Sequence, residues 1–260
     1  MAASYQVSEA TRVNRRHQKL WSVAYIPQNT RAVLVWHHGV GESNDRIKYK
    51  NFFDAFAKTG VAVHAQDAHG MGKSEPFDKA DRIFVRKVDD LIDDAEDFAT
   101  EMRSKYPATM PFYVGGVSMG GMITTLLTLR DQKPWSGMML QSAAINVEKN
   151  FMQKVTEAIA GLLNLLMPRA RIVPAVPPEY LSKDPQVRKE TVDDPYTVIG
   201  NMRVATGLIF LDGFSRIAQK GSTLSLPIFA IHGTDDKVTS PKAVQQLLDG
   251  CAALMAKLRT

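Results

Sequence analysis

The 260-residue chain lacks the features that mark exported and membrane-spanning proteins. It contains one cysteine, Cys251, which excludes an internal disulfide and suits a reducing compartment. Its amino terminus has no apolar core of a secretory signal peptide, and no run of about 18 apolar residues could span a bilayer. The sequence therefore predicts a cytoplasmic protein.

Charge of one sign is concentrated at only one place. The net charge is +5, yet acidic and basic residues are interleaved along most of the chain. The one basic cluster comprises Arg12, Arg15, Arg16 and Lys19, and no aromatic residues lie between its charges, so no nucleic-acid partner is predicted. We interpret the cluster as a solvated lead-in to the first strand, with contact to anionic lipid headgroups as the alternative. Neither a cofactor nor a metal site is predicted.

Apolar runs alternate with amphipathic stretches along most of the chain. Short apolar runs are typical of buried parallel strands, and apolar residues at helical spacing indicate helices between them. The alternation predicts an α/β fold with a doubly wound, mainly parallel sheet and with function at the carboxyl ends of its strands. Strands are predicted at residues 31–37, 60–65, 137–141 and 227–231, helices at 51–58, 88–102 and 241–258, and a strand, turn and helix at 111–123.

Two stretches fall outside this alternation. Residues 1–19 are polar and are interpreted as a leader, whereas residues 145–222 carry several prolines and no obvious strand. We expect the second stretch to be an inserted helical cap (lid) over the active-site edge, which leaves residues 20–144 and 223–260 as the core. The apolar run at 158–167 fits either packing within the cap or a lipid-facing surface.

The sharp turn within residues 111–123 has the pattern of a nucleophile elbow. Gly116-Val117-Ser118-Met119-Gly120 is a G-x-S-x-G motif that follows an apolar run and precedes a helical pattern. Such a turn exposes its serine above a sheet, and small flanking residues are needed because helix and strand pass close together. Ser118 is therefore the candidate nucleophile. An ordinary glycine-rich turn is the alternative.

Two further turns follow predicted strands. His38-Gly39-Val40-Gly41-Glu42 stands where a hydrolase needs a backbone N–H for its oxyanion hole, so the N–H groups of Val40 and Met119 are the expected donor pair. His232-Gly233-Thr234-Asp235-Asp236 stands where the acid of a Ser, Asp, His triad belongs. The turn that begins at Asp67 is interpreted as structural.

With these turns in order, the chain resembles the monoacylglycerol lipase family of α/β-hydrolases from about Leu20 onward. The resemblance implies Ser118 as the nucleophile and Asp236, in preference to Asp235, as the acid. It also implies an amphipathic cap that admits a single acyl chain from a membrane surface. The chain departs from the family at Ser43, where a histidine is usual, and at Val117, which replaces a histidine before the nucleophile.

The end of the chain departs further from the family. After the acid, an α/β-hydrolase has a helix, a final strand and then the base histidine. Only 24 residues follow Asp236, none of them histidine, whereas a strand–helix–strand unit takes about 30. We expect the last strand and helix to be missing from a chain shortened at its C-terminus, and no base histidine is found. The six histidines are assigned to the leader (His17), the core (His37, His64), the oxyanion turn (His38), a structural turn (His69) and a strand end beside the acid (His232).

The leading hypothesis is a serine ester hydrolase that acts on monoacylglycerols or similar single-chain lipid esters, with lysophospholipids included. A chain without its base should hydrolyse esters poorly. The alternative is a catalytically impaired lipid-binding or interaction protein on the same scaffold, and a weaker one is another enzyme such as a haloperoxidase-like protein or an acyltransferase. Peripheral contact with membranes or lipid droplets through the cap is expected, and the oligomeric state stays open.

Overall fold

A computed structural model describes residues 4–78, 81–146, 157–174, 176–252 and 256–259. Eight strands form one sheet in the order β1-β2-β4-β3-β5-β6-β7-β8, in which β2 runs antiparallel to both its neighbours and the other pairs are parallel. The predicted doubly wound, mainly parallel sheet is confirmed. The strands are β1 Tyr5–Val13, β2 Lys19–Pro27, β3 Ala32–His37, β4 Val61–Gln66, β5 Phe112–Ser118, β6 Gly137–Ala143, β7 Ile228–Ile231 and β8 Ala256–Arg259.

Both faces of the sheet are covered, which explains why its central strands are apolar throughout. In β3, Val33 and Val35 enter the larger core cluster, whereas Leu34 and Trp36 enter the cluster on the opposite face. The described α-helices are α1 Ile47–Lys58, α2 Val88–Arg103, α3 Met119–Arg130, α4 Glu157–Leu166, α5 Pro185–Asp193, α6 Val204–Lys220 and α7 Pro241–Gly250. None of them is long and apolar enough to cross a membrane.

Residues 5–13, which we interpreted as part of a polar leader, form a strand of the sheet, so that interpretation was wrong for them. Strand β1 pairs with β2 along its whole length, and Tyr5 Oη donates to Asp54 Oδ1 at 2.5 Å. The strand is exposed at most positions because it forms the edge of the sheet, so its sequence is as polar as that of a loop. The basic cluster is also more than a solvated lead-in, since Arg15 pairs with Asp97 of α2.

The end of the chain requires a second correction. The last strand, which we expected to be missing, is present as β8. The predicted helix at 241–258 ends instead at Gly250, and Cys251 is extended with φ −84° and ψ 158°. Strand β8 pairs parallel with β7, and the His232 N–H donates to the Arg259 carbonyl at 2.9 Å. Pairing with β7 thus overrides a local sequence with little strand preference.

Between β6 and β7, the chain leaves the sheet and forms α4, α5 and α6. Helix α6 belongs to the core by its packing, because Ile209, Phe214 and Ile217 are buried in the larger core cluster. A Cβ at Gly213 would lie 2.4 Å from the Met122 sulfur, so a glycine is needed where α6 crosses α3. Helix α6 lies within the predicted cap at 145–222, but it packs as part of the core.

Candidate active site

Ser118 lies at the junction of β5 and α3 with φ 52° and ψ −118°. A positive φ is strained for a residue with a side chain, and it is the geometry expected of a nucleophile elbow. Two glycines permit the turn. A Cβ at Gly116 would lie 2.4 Å from the Gly120 backbone, and one at Gly120 would lie 2.0 Å from the His37 carbonyl oxygen. The start of α3 is thereby held against the ends of β5 and β3.

The predicted oxyanion turn lies beside this elbow, because a Cβ at Gly39 would be 3.5 Å from the Ser118 Cβ. The Gly39 N–H donates to Glu42 Oε2 at 3.2 Å, and the Gly41 N–H points at the Met71 sulfur at 3.4 Å. Within the described parts of the chain, the Val40 N–H has no hydrogen-bond acceptor.

Met119 offers the second backbone amide at this point. It is the first residue of α3, and the N–H groups of a helix's first turn have no partner within the helix. The positive end of the helix dipole at the same place favours an anion. The N–H groups of Val40 and Met119 are thus both available for a developing oxyanion.

A buried carboxylate fixes the shape of the oxyanion turn. Glu42 accepts a hydrogen bond from Tyr49 Oη at 2.5 Å and pairs with both Arg46 and Lys48. Burial raises the pKa of Glu42, but the two cations and the hydrogen bonds outweigh it and lower the pKa to about 2. Glu42 is therefore ionised at neutral pH and holds the Gly39 amide in place.

A second buried carboxylate, Asp67, holds the far side of the turn. It accepts hydrogen bonds from Ser43 Oγ and the Asn44 N–H at 2.7 Å each, and from the Lys73 N–H at 2.9 Å. Burial raises its pKa. At position 43, where the chain departs from the family, the Ser43 hydroxyl supplies a donor to Asp67.

Asp236, and not Asp235, turns into the site. Its Oδ1 accepts from the Val238 N–H at 2.8 Å and the Thr239 N–H at 2.9 Å, and its Oδ2 accepts from Thr239 Oγ1 at 2.8 Å and lies 3.2 Å from His232 Nε2. Burial raises the pKa of Asp236, but these hydrogen bonds prevail and lower it to about 2. Asp235 lies at the surface and pairs with Lys183.

Ser118, Val40 and Asp236 line one cavity of about 330 Å³. Its volume lies within the range of small-molecule sites, and such sites are mostly apolar with a few polar groups. The wall opposite the sheet comes from residues of the insertion, namely Val176, Pro178, Tyr180, Leu181, Val187, Val198, Ile199 and Met202. Among the described residues, helix α4 contributes none to this wall, and its Leu162, Leu165 and Leu166 are exposed.

None of the six histidines lines this cavity in the described part of the chain. His38 Nε2 accepts from the Ala68 N–H at 2.9 Å, which confirms that His38 orders the turn region. His232 is buried behind Asp236, with its Nε2 3.1 Å from Thr239 Oγ1. Among the described residues, no group of three or more histidine, cysteine, aspartate or glutamate side chains is placed to hold a metal ion.

The sequence did not predict most of the contacts that hold the site residues in place. The Glu42 contacts with Arg46 and Lys48 could have been suspected from their spacing of four and six residues. The position of His232 beside the acid was predicted, and the structure places its Nε2 3.2 Å from Asp236 Oδ2. The cap residues of the cavity wall had none, because their sequence shows neither periodicity nor a motif.

Comparison with known proteins agrees with this geometry. The profile of the family described as serine aminopeptidase, S33, matches residues 28–260. The chain is 26% identical over 228 residues to the monoacylglycerol lipase of Mycolicibacterium smegmatis, covering 86% of this chain and 76% of that protein. It is 26% identical over 242 residues to the human monoglyceride lipase, covering 91% and 76%. Against the caffeoylshikimate esterase of Arabidopsis thaliana the identity is 24%, covering 89% and 70%.

Solved structures show the same fold. A soluble variant of the Saccharomyces cerevisiae monoglyceride lipase superposes with a TM-score of 0.78 at 21% identity, covering all of this chain and 86% of that one. The monoacylglycerol lipase of Paleococcus ferrophilus gives a TM-score of 0.76 at 19% identity, covering 97% and 87%. The chain belongs to the serine aminopeptidase S33 family and is a monoacylglycerol lipase-like enzyme of the α/β-hydrolase fold.

Proposed function

We propose that the protein hydrolyses esters of single acyl chains, monoacylglycerols first among them, through Ser118. One observation carries the proposal: the strained Ser118 lies beside an unpartnered Val40 amide in a cavity with a largely apolar cap wall. Strain at a serine is maintained where the surrounding structure requires it, and Ser118 is half-buried in the lining of the cavity.

The reaction follows from the residues around the cavity. Ser118 Oγ attacks the ester carbonyl carbon, and the Val40 and Met119 N–H groups stabilise the oxyanion that forms. The ester C–O bond then breaks, the alcohol leaves with a proton, and an acyl group stays on Ser118 until water hydrolyses it. Proton transfer at both steps needs a base that Asp236 orients.

No described histidine lines the cavity where this base is needed. His232 is the histidine in contact with Asp236, but it lies behind the carboxylate and away from the cavity lining. Loss of the histidine of a serine protease triad costs about a million-fold in kcat. The 260-residue chain is therefore expected to hydrolyse esters poorly unless a base is supplied.

The cavity favours one acyl chain. The cap wall is built of valine, proline, leucine, isoleucine and methionine side chains, and about 330 Å³ accommodates a single chain. The names of the M. smegmatis and human relatives support a monoacylglycerol substrate, whereas the plant relative is named for a different ester. Lysophospholipids carry one acyl chain as well and belong to the same proposal.

A membrane surface is the proposed source of the substrate. Helix α4 exposes Leu162, Leu165 and Leu166, and Leu165 is 78% exposed. Three leucines on one short helix are costly in water and are typical of a surface that contacts lipid. Flotation with liposomes tests this: changing the three leucines to serine should abolish association, whereas Val192→Ser on α5, which is also exposed, should leave it unchanged. Equal flotation of all variants would refute the lipid-facing surface.

Imidazole tests the catalytic proposal. The purified 260-residue protein is assayed against a short-chain ester and a monoacylglycerol, with and without imidazole, beside Ser118→Ala. We expect a low rate alone, a higher rate with imidazole that acts as the base in the cavity, and no increase for Ser118→Ala above the rate of imidazole itself. An imidazole-stimulated rate that persists in Ser118→Ala would overturn the role of Ser118.

A second function, lipid binding without catalysis, is favoured by the absence of a cavity-lining histidine in the described chain. It predicts that a fluorescent monoacylglycerol binds the wild type and Ser118→Ala equally well, and that imidazole changes nothing. Stimulation by imidazole decides against it.

A further inference from the structure

A second, much smaller cavity lies beneath the oxyanion turn, at the carboxyl ends of β3 and β4. Its volume is about 20 Å³, and its wall includes His37, Gln66 and Asp94. Each of these side chains belongs to a residue that is at most 6% exposed. The cavity shares no lining residue with the candidate active site, so it is a separate site.

Each of these three side chains carries a polar atom without a partner. His37 Nε2, Gln66 Nε2 and Asp94 Oδ1 are buried and form no hydrogen bond with any described residue. Folded proteins satisfy nearly all buried polar atoms, either with protein groups or with ordered water, because an unsatisfied one is costly. Three residues with such atoms line one small cavity, which points to a common partner there.

The other ends of two of these groups are already fixed. Gln66 Oε1 accepts from Arg12 Nη1 at 3.5 Å, which leaves the amide NH₂ for the cavity. Asp94 Oδ2 pairs with Arg16 and accepts from Asn14 Nδ2 at 3.3 Å, which leaves Oδ1. The cavity therefore presents a donor from Gln66, an acceptor from Asp94 and a ring nitrogen from His37.

We propose that this cavity binds one ordered water molecule, which accepts from Gln66 Nε2, donates to Asp94 Oδ1 and bonds His37 Nε2. A buried water needs at least about 10–15 Å³ and typically makes about three hydrogen bonds. Burial lowers the pKa of His37 to about 3, so the ring is neutral at neutral pH and can accept the second hydrogen of the water.

Other occupants fit less well. A metal cation would face the N–H groups of Gln66, which repel it, and the charge of Asp94 is already paired with Arg16. Any larger molecule exceeds the volume. The water connects His37, which directly precedes the oxyanion turn, to α2 and, through Asp94, to Asn14 and Arg16 at the turn after β1.

A crystal structure of the intact chain tests the proposal directly. We expect one density peak at about 2.7–3.2 Å from each of the three atoms. A peak with contacts near 2.4 Å would indicate a metal cation and overturn the proposal. Absence of density, or direct pairing of Gln66 Nε2 with Asp94 Oδ1, would overturn it as well.

A measurement in solution complements the crystal. Oxygen-17 magnetic relaxation dispersion counts waters that reside long in a protein. Gln66→Met fills similar volume without a donor, and we expect its count to be lower by one water than that of the wild type. Gln245→Met, at an exposed position of α7, should keep the wild-type count. A folded Gln66→Met protein with an unchanged count would contradict the assignment, and if this variant does not fold, the wild-type crystal decides.

Discussion

The two sides of the active-site cavity are built in different ways. On the sheet side, Ser118 and the oxyanion turn are held by close backbone contacts and by the buried carboxylates Glu42 and Asp67. On the cap side, Tyr180, Leu181 and Ile199 are exposed apolar residues. The turn at residues 232–239 that carries Asp236 is called the acid turn here. The cap side contacts it mainly at the surface, where Lys183 pairs with Asp235 and Lys237 Nζ lies 5.3 Å above the Tyr180 ring.

This difference separates two tasks of the proposed lipid ester hydrolase. Stabilisation of an oxyanion requires donors fixed to within a fraction of an ångström, which a buried network provides. Acceptance of acyl chains requires a wall that adapts, and exposed side chains with few polar contacts can move at small cost. Two stronger ties join the cap to the sheet side: the Val198 N–H donates to the Gly41 carbonyl at 2.9 Å, and Arg46 Nη2 donates to Thr191 Oγ1 at 2.5 Å.

The largest effect on the free energy of unfolding is expected from a methyl group added at Gly120, on the sheet side of the cavity. In Gly120→Ala the new Cβ would lie 2.0 Å from the His37 carbonyl oxygen, and neither backbone can yield. We expect a loss of at least about 4 kcal/mol in the free energy of unfolding, or no folded protein. The matched change on the cap side is Gly161→Ala in α4, where a Cβ meets nothing within 4 Å.

Gly161→Ala should stabilise the protein by up to about 1 kcal/mol, because alanine is the better helix former. Urea unfolding of both variants measures the contrast. Similar unfolding free energies for Gly120→Ala and the wild type would show that the elbow is not tightly packed against β3.

A smaller effect on the free energy of unfolding is expected for Asp236 in the acid turn. The pKa of Asp236 is lowered from 3.8 to about 2 in the folded protein, so its charge contributes stability above about pH 4 that is lost as the pH falls to about 2. Asp236→Asn carries no such charge. We expect the wild type to exceed this variant by about 1–2 kcal/mol at pH 6 and the difference to shrink in acid. A difference that does not change between pH 6 and pH 2 contradicts the hydrogen-bonded, ionised state of Asp236.

The smallest effect is expected for the surface tie between cap and acid turn. Lys183 and Asp235 have side chains that are 86% and 68% exposed, and such pairs contribute about 0–1 kcal/mol. Lys183→Ala should leave the unfolding free energy within about 0.5 kcal/mol of the wild type at physiological salt. A larger loss would mean that the cap is held to the sheet more firmly than its exposed contacts indicate.

The parts of the site that local sequence determines were predictable. The elbow at Ser118 and the turn at Val40 depend on glycines within a few residues, and Asp236 follows its strand directly. The parts that could not be predicted depend on contacts between residues that are far apart in the sequence. Strand β1 is polar because it lies at an edge, β8 forms because β7 offers it a partner, and the cavity at His37 arises from strands and a helix far apart in sequence.

The most direct test of the proposed centre is a crystal structure of the protein after reaction with a long-chain alkyl fluorophosphonate in the presence of imidazole. We predict phosphorus bonded to Ser118 Oγ, the phosphonyl oxygen at about 2.7–3.1 Å from the N–H groups of both Val40 and Met119, and the alkyl chain along the cap wall that includes Leu181 and Val198. Phosphorus on another residue, or a phosphonyl oxygen turned away from both amides, would contradict the assignment of this cavity as the centre of ester hydrolysis.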